Sequence, residues 1–262
     1  MIGFPEKCTL DLLIDIGNTR VKWALSTEGQ LTSTTGQIAY HGIAISDLCG
    51  EMWGNLDRPD RIVVACVAPN LVREEIATWT DARWNLKAEF VASTAAGWGI
   101  VNAYRSPESL GVDRWLGLIA ARKKWNSKNV FVADCGTAVT IDVLSREGVH
   151  LGGLIVPGLS MMRQSLIQGT AKIEVATNSD MASNHVLFAS DTTSAVMGGT
   201  LYTLVSVLDR TVRDVGVELG QSIIPVITGG NADELRSLLS TKFLVAPELV
   251  LEGLAIVSSE NP

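Results

Sequence analysis

Leu13-Ile14-Asp15-Ile16-Gly17-Asn18-Thr19, near the start of the chain, is answered by Val132-Ala133-Asp134-Cys135-Gly136-Thr137-Ala138 in its middle. A constant offset of 119 residues carries Asp15 onto Asp134, Gly17 onto Gly136, Leu25 onto Leu144, Ser26 onto Ser145, Glu28 onto Glu147 and Gly29 onto Gly148. An ungapped internal repeat of this kind predicts two similar half-domains before any single residue is interpreted. Each half would offer an acidic, glycine-containing turn to one shared cleft, an arrangement suited to phosphate transfer.

The flanking segments extend the repeat. Leu10–Ile16 reads as an apolar strand interrupted by Asp11, Val21–Ser26 as a second, and Glu28-Gly29 as a tight turn into a third at about Gln30–Gly36. Val130–Ala133, Val139–Leu144, the turn Glu147-Gly148 and His150–Val156 replay that antiparallel meander. Each meander leads on to a strand, a breaking loop with Asn and a helix. These are Arg61–Val67, Ala68-Pro69-Asn70 and Leu71–Trp79 early in the chain, and Ile223–Thr228, Gly229-Gly230-Asn231 and Ala232–Leu239 late in it. Helices are also expected over Asp113–Trp125, from Ser160 to Leu166, and over Met197–Val215. The half-domain boundary falls near Arg114, giving 1–114 and 115–262.

The 262 residues suit two half-domains, and an apolar fraction of 47% supports sizeable cores. A net charge of −7 argues against a nucleic-acid-binding surface, which needs Lys and Arg for phosphate. No apolar run approaches the roughly 20 residues that cross a bilayer, so no membrane partner is expected. Met1 to Leu10 shows no export signal, which points to the cytoplasm. Cys8, Cys49, Cys66 and Cys135 form no C-x-x-C pair, so zinc is not expected. Cys135 reads as packing rather than thiol chemistry, because no base stands beside it in sequence. His41, His150 and His185 are scattered and read as surface or structural residues.

The chemistry concentrates in a few segments. In the first turn, Gly17 lets a backbone approach phosphate and is free to take positive φ, and Thr19 adds a hydroxyl. Asp15 is an anion and would repel phosphate, so its sensible role is to hold Mg²⁺, which favours carboxylates together with substrate phosphates. An ordinary hairpin would also select Asp and Asn; the second copy favours function. In that copy Thr137 faces nucleotide phosphate, while Asp134 either holds a cation or acts as a base. Asp142 either lines the cleft or faces solvent. Gly111-Val112-Asp113-Arg114 sets a carboxylate and a guanidinium at a helix start. Phosphorylating an alcohol needs a carboxylate near the hydroxyl proton, and Arg suits an acid group on the acceptor. A plain helix cap at Asp113 is the alternative. Gly152-Gly153-Leu154-Ile155-Val156-Pro157-Gly158 allows close backbone approach, and Asp191-Thr192-Thr193 offers hydroxyls near a helix start, for capping or for substrate. No Gly-Lys-Ser/Thr, G-x-G-x-x-G, H-E-x-x-H or G-x-S-x-G motif occurs.

Together these segments resemble type III pantothenate kinase, of the acetate and sugar kinase, Hsp70 and actin superfamily. The resemblance covers nearly the whole chain. It rests on Asp15–Thr19, Gly111–Arg114, Asp134–Asp142, Gly152–Gly158 and Thr228–Gly230. It implies an α/β fold of two ribonuclease H-like half-domains, an actin-like ATPase duplication, with a nucleotide cleft between them. The implied reaction is ATP-dependent phosphorylation of pantothenate to 4'-phosphopantothenate, the first step toward coenzyme A, with Asp113 as general base. ATP would lie on Asp15, Ile16, Gly17, Asn18, Thr19, Arg20, Val21, Lys22 and Thr137. Pantothenate would lie on Tyr104, Gly111, Val112, Asp113, Arg114 and Thr192. Asp134 would hold a monovalent cation, K⁺ or NH₄⁺, and Asp15 would serve Mg-ATP, directly or through water. A homodimer is implied. Arg20, Cys135 and Met197-Gly198-Gly199 depart from the residues usual in the family. A transcription accessory or regulatory protein on the same fold, and a kinase of another small metabolite, are the alternatives.

Overall fold

The computed structural model describes residues 9–40, 43–171, 173 and 188–260. Cys8, His41 and His185 lie outside them. Over the described residues the chain forms two compact units. One comprises residues up to 127 with 144–152 and the segment from 248, the other 128–143 with 153–247.

In the first unit, β1 (Leu10–Ile16), β2 (Arg20–Thr27) and β3 (Gln30–Ala39) form the expected antiparallel meander. Asp15 pairs with Lys22, and Asp11 with Ser26. The chain then runs through helix α1 (Ile45–Trp53), β4 (Arg61–Cys66), helix α2 (Asn70–Trp84) and β5 (Ala88–Phe90). β4 lies parallel to β1 and β5 parallel to β4, giving the order β3-β2-β1-β4-β5. Alternation along β1 sorts its side chains between two faces. Leu12, Ile14 and Ile16 enter a core with Ile45, Trp53, Ile76 and Trp84, while Asp11, Leu13 and Asp15 take the other face. Edge-on contacts of Trp79 with Trp53 and Trp84 close this core beneath the helices. A two-stranded ribbon, β6 (Ala96–Gly97) and β7 (Ile100–Val101), leads to α3 (Val112–Lys124).

The meander is repeated by β8 (Asn129–Cys135), β9 (Ala138–Leu144) and β10 (His150–Pro157), which lie in the second unit except for the hairpin end Leu144–Gly152, which belongs to the first. Helix α4 (Leu159–Gly169) and the 28-residue α5 (Thr192–Leu219) follow. Then come β11 (Ile223–Thr228), α6 (Ala232–Arg236) and β12 (Leu244–Val245). β11 runs parallel to β8, and the order β10-β9-β8-β11-β12 is the first sheet's order again. Phe131, Ala133 and Cys135 of β8 pack with Val139 and Ile141 of β9 and with Leu201, Leu204 and Leu208 of α5. Asp134 therefore takes the opposite face from its two neighbours.

The last helix, α7 (Leu249–Ser259), belongs to the first unit and packs on α3 and β1. Gly253 permits that crossing, since a Cβ there would lie 2.1 Å from the Leu116 carbonyl oxygen. Neither α1 nor α7 is legible in the sequence reading. α5 begins at Thr192, five residues before the start expected at Met197.

Candidate functional site

The first acidic turn is a three-residue loop between β1 and β2. Gly17 donates its N–H to the Arg20 carbonyl at 3.0 Å. Tyr40 clamps the turn from β3's end: its hydroxyl donates to the Gly17 carbonyl and its N–H to the Thr19 carbonyl. Val67, just past β4, donates to the Ile16 carbonyl at 3.0 Å. Gly17 does not take positive φ; its Cβ position would meet only the Arg20 carbonyl oxygen, at 3.4 Å. Asp15, Gly17, Thr19 and Lys22 are half-buried, and Asn18 and Arg20 are exposed. Ile16 and Val21 have fully buried side chains, so they have only backbone to offer a ligand.

The acceptor element also lies in the first unit. Gly111, not Asp113, is the N-cap of α3, and it makes no side-chain cap bond. Asp113 sits inside the first turn, where its Oδ1 accepts the Arg114 N–H at 2.7 Å. A Cβ on Gly111 would lie 2.5 Å from that oxygen, so glycine is what lets the carboxylate fold back over the helix start. Arg114 is buried yet charged. Its Nη1 donates to the Tyr104 hydroxyl at 2.8 Å, and its guanidinium stands 5.6 Å from the Tyr104 ring centre. The structure thus brings together Tyr104, Gly111, Val112, Asp113 and Arg114.

The second acidic turn is shorter and more tightly packed. Gly136 donates to the Ala138 carbonyl at 3.1 Å, and Gly158, at the start of α4, donates to the Thr137 carbonyl at 3.0 Å. A Cβ on Gly158 would fall 2.5 Å from both the Gly136 and Thr137 carbonyl oxygens. Gly229, at φ +91°, passes over the other side; its Cβ would meet Asp134 Oδ1 at 2.5 Å. Asn231 donates to the Cys135 carbonyl, much as Val67 does to Ile16. Asp134 and Thr137 are half-buried in this cradle. Burial, with the Asp134 charge beside it, pushes the Cys135 thiol far up, so Cys135 is core packing. Asp142 is buried, not solvent-facing.

Thr192 is the first residue of α5, capped by Asp191, whose Oδ1 accepts the Ser194 N–H at 2.8 Å. Capping therefore falls to the aspartate. Thr192 is exposed and lines a groove of about 580 Å³ with Met162, Leu166, Val196 and Gly199. Among the described residues no three His, Cys, Asp or Glu converge as a metal site. A lone carboxylate at each turn suits a hard cation that takes its other ligands from phosphates, carbonyls and water.

One residue beside the acceptor element escaped the sequence reading as a site component. His150 is 1% exposed, and its ring stacks on Tyr104 at 6.1 Å and 14°. A single imidazole opening an apolar strand gives almost no signal; the tertiary contact supplies it.

A family profile described as type III pantothenate kinase matches residues 11–214. A relative from Nitrosococcus oceani named type III pantothenate kinase is 41% identical over 254 residues, covering 95% of this chain and 94% of its own. Among solved structures, a putative 2-dehydro-3-deoxygalactonokinase from Sinorhizobium meliloti aligns with a TM-score of 0.54 at 14% identity, covering 94% of this chain and 98% of its own. A putative Baf family transcriptional activator from Campylobacter jejuni aligns at 0.53 and 18%, with the same coverage of each chain. At these identities the two structures speak for the fold alone.

Proposed function

The chain belongs to the type III pantothenate kinase family, and we infer from this that it transfers the γ-phosphoryl group of ATP to pantothenate, the first step of coenzyme A synthesis. The observation that carries the reading is near-complete alignment with a named pantothenate kinase at 41% identity. The local geometry of Gly111–Arg114 supports it.

In this reading Asp113 accepts the proton from the attacking hydroxyl of pantothenate, and Arg114, steadied by Tyr104, holds the acceptor's carboxylate. Thr192 contributes a further contact to the acceptor. Residues Asp15 to Lys22 and Thr137 bind the nucleotide, through backbone N–H groups and the hydroxyls of Thr19 and Thr137. Mg²⁺, served by Asp15, would screen the phosphate charge. The monovalent cation, K⁺ or NH₄⁺, would sit on Asp134, where the carboxylate and nearby carbonyls supply hard oxygen donors. For function the chain divides into halves 1–114 and 115–262, each with one acidic turn. We place the enzyme in the cytoplasm, without nucleic-acid or membrane partners, as a homodimer. Exposed apolar side chains along β10 and α4, among them Leu154, Ile155, Met161 and Ile167, suit a subunit contact.

Asp113→Asn tests the centre of this reading. General-base catalysis contributes roughly a hundredfold or more. The variant is expected to lose at least that much turnover on pantothenate while binding ATP normally. Turnover at the wild-type rate would remove Asp113 from the role of base.

A further inference from the structure

We propose that His150 is a positioning residue for the acceptor site, acting through Tyr104 on Arg114. The proposal rests on the assignment of Gly111–Arg114 to pantothenate made above. All the groups involved lie in the first unit. His150 opens β10 after the turn at Gly148 and is 1% exposed. Its imidazole lies nearly parallel to the Tyr104 ring, 14° apart with centres 6.1 Å apart. Its Nδ1 accepts the Ala103 N–H at 3.5 Å, which ties the imidazole to the backbone just before Tyr104. On its other side Tyr104 is held by Asn102, whose Oδ1 accepts the Tyr104 N–H at 3.0 Å. Asn102 is itself anchored through Nδ2 to the Thr94 and Pro107 carbonyls.

These contacts fix the plane and the position of the phenol. The phenol oxygen in turn accepts from Arg114 Nη1 at 2.8 Å. A guanidinium recognises a carboxylate through a planar fork, so its orientation decides how well it binds. Tyr104 sits in the irregular stretch 102–106, between β7 and a short 3₁₀ turn at Pro107–Ser109 that precedes α3. Without a ring behind it, its side chain would be free to choose other rotamers. The buried imidazole takes that freedom away, and the effect reaches the acceptor's binding site without His150 touching the acceptor. A buried His at this point has a packing role in any case. What marks the positioning role is that its loss should be felt by one substrate and not by the other.

The test is steady-state kinetics of the full-length protein with His150→Gln, His150→Phe, Tyr104→Leu and the His150→Gln/Tyr104→Leu double variant. KM for pantothenate and for ATP is measured separately, and thermal unfolding is followed in parallel. Stacked aromatic pairs are worth an increment corresponding to about two- to tenfold in affinity. His150→Gln is expected to raise the pantothenate KM by about that factor, with kcat and the ATP KM little changed. His150→Phe keeps a stacking ring and should restore most of the loss. The double variant should be no worse than Tyr104→Leu alone, because both act on one contact chain. The role is overturned if His150→Gln leaves the pantothenate KM unchanged or moves both KM values together. It is also overturned if His150→Phe fails to rescue while staying folded, or if the double variant is additive. Wild-type turnover of pantothenate is measured first. Its absence would defeat the kinase reading, whereas wild-type turnover with an unselective His150→Gln would defeat only the positioning role.

Discussion

Ser26 and Ser145 are the same residue at matched points of the repeat, and the fold gives them different work. Ser145 Oγ accepts N–H bonds from Glu147 and Val149 at the hairpin tip. Ser26 Oγ is buried beside Asp11 and bonds to none of the described residues. Asp11 is the costlier neighbour. It is 5% exposed, its Oδ1 takes no hydrogen bond from the described residues, and Arg61 stands 3.8 Å from its Oδ2. Burial outweighs the Ser258 side-chain hydrogen bond and that guanidinium and raises the carboxyl's pKa above the ordinary value, with Glu89 and Asp60 nearby adding to the rise. A folded pKa above the unfolded one means that the folded state holds the proton more tightly. The resulting stability is fully present below the unfolded pKa and is lost as pH rises through the raised one. Asp11→Asn removes the buried charge, so its melting temperature relative to wild type should be more favourable at pH 7 than at pH 4. A difference that stays constant or shrinks across that range would refute the assignment. The apolar alternation of β1 is legible in sequence, but the fate of the one aspartate inside it is not, because burial from α7's side depends on a helix that the pattern does not announce.

Among the elements, the two hairpins show what a sequence repeat does and does not copy. Glu28 and Gly29 both take positive φ, 52° and 74°, and form a two-residue turn between paired Thr27 and Gln30. Glu147-Gly148 looks identical in sequence, yet only Gly148 is positive, at 88°. There the Gly148 N–H bonds to the Ser145 carbonyl and Ser145 N–H to Val149, which makes a longer turn. Gly148 is pressed against Gly99, whose carbonyl oxygen would lie 2.1 Å from a Cβ. Tertiary contact has overridden local turn preference. The α3–α7 crossing is a second case. Gly253→Ala would force backbone apart at Leu116, and overpacking of this kind costs about 1–3 kcal/mol. Gly50, in α1, has no neighbour within 4 Å of its Cβ position. Gly50→Ala should instead stabilise by about 0.5–1 kcal/mol through helix propensity. Denaturant melts of the two variants check the contrast, and a Gly253→Ala as stable as wild type would show that the crossing tolerates a shift.

At the scale of the whole molecule, the proposed cation and dimer are open to direct measurement. Purified protein with Mg-ATP and pantothenate should form phosphopantothenate faster with K⁺ or NH₄⁺ than with Na⁺. Asp134→Asn should flatten that difference while leaving the protein folded; an undiminished K⁺ response would move the ion elsewhere. Sedimentation equilibrium should give twice the chain mass, and a monomer at micromolar concentration would end the dimer proposal. By itself the sequence determined the duplicated meander, the sheet strands that carry Asp15 and Asp134, and the Gly111–Arg114 helix start. All of these are written in short-range periodicity and turn chemistry. The tertiary structure alone decided that α7 closes the first unit, that Gly158 and Gly229 wall in the second turn, that Gly111 rather than Asp113 caps α3, and that His150 lies behind Tyr104. Those facts depend on which distant backbones approach within van der Waals contact, and a chain's local pattern carries no record of such distances.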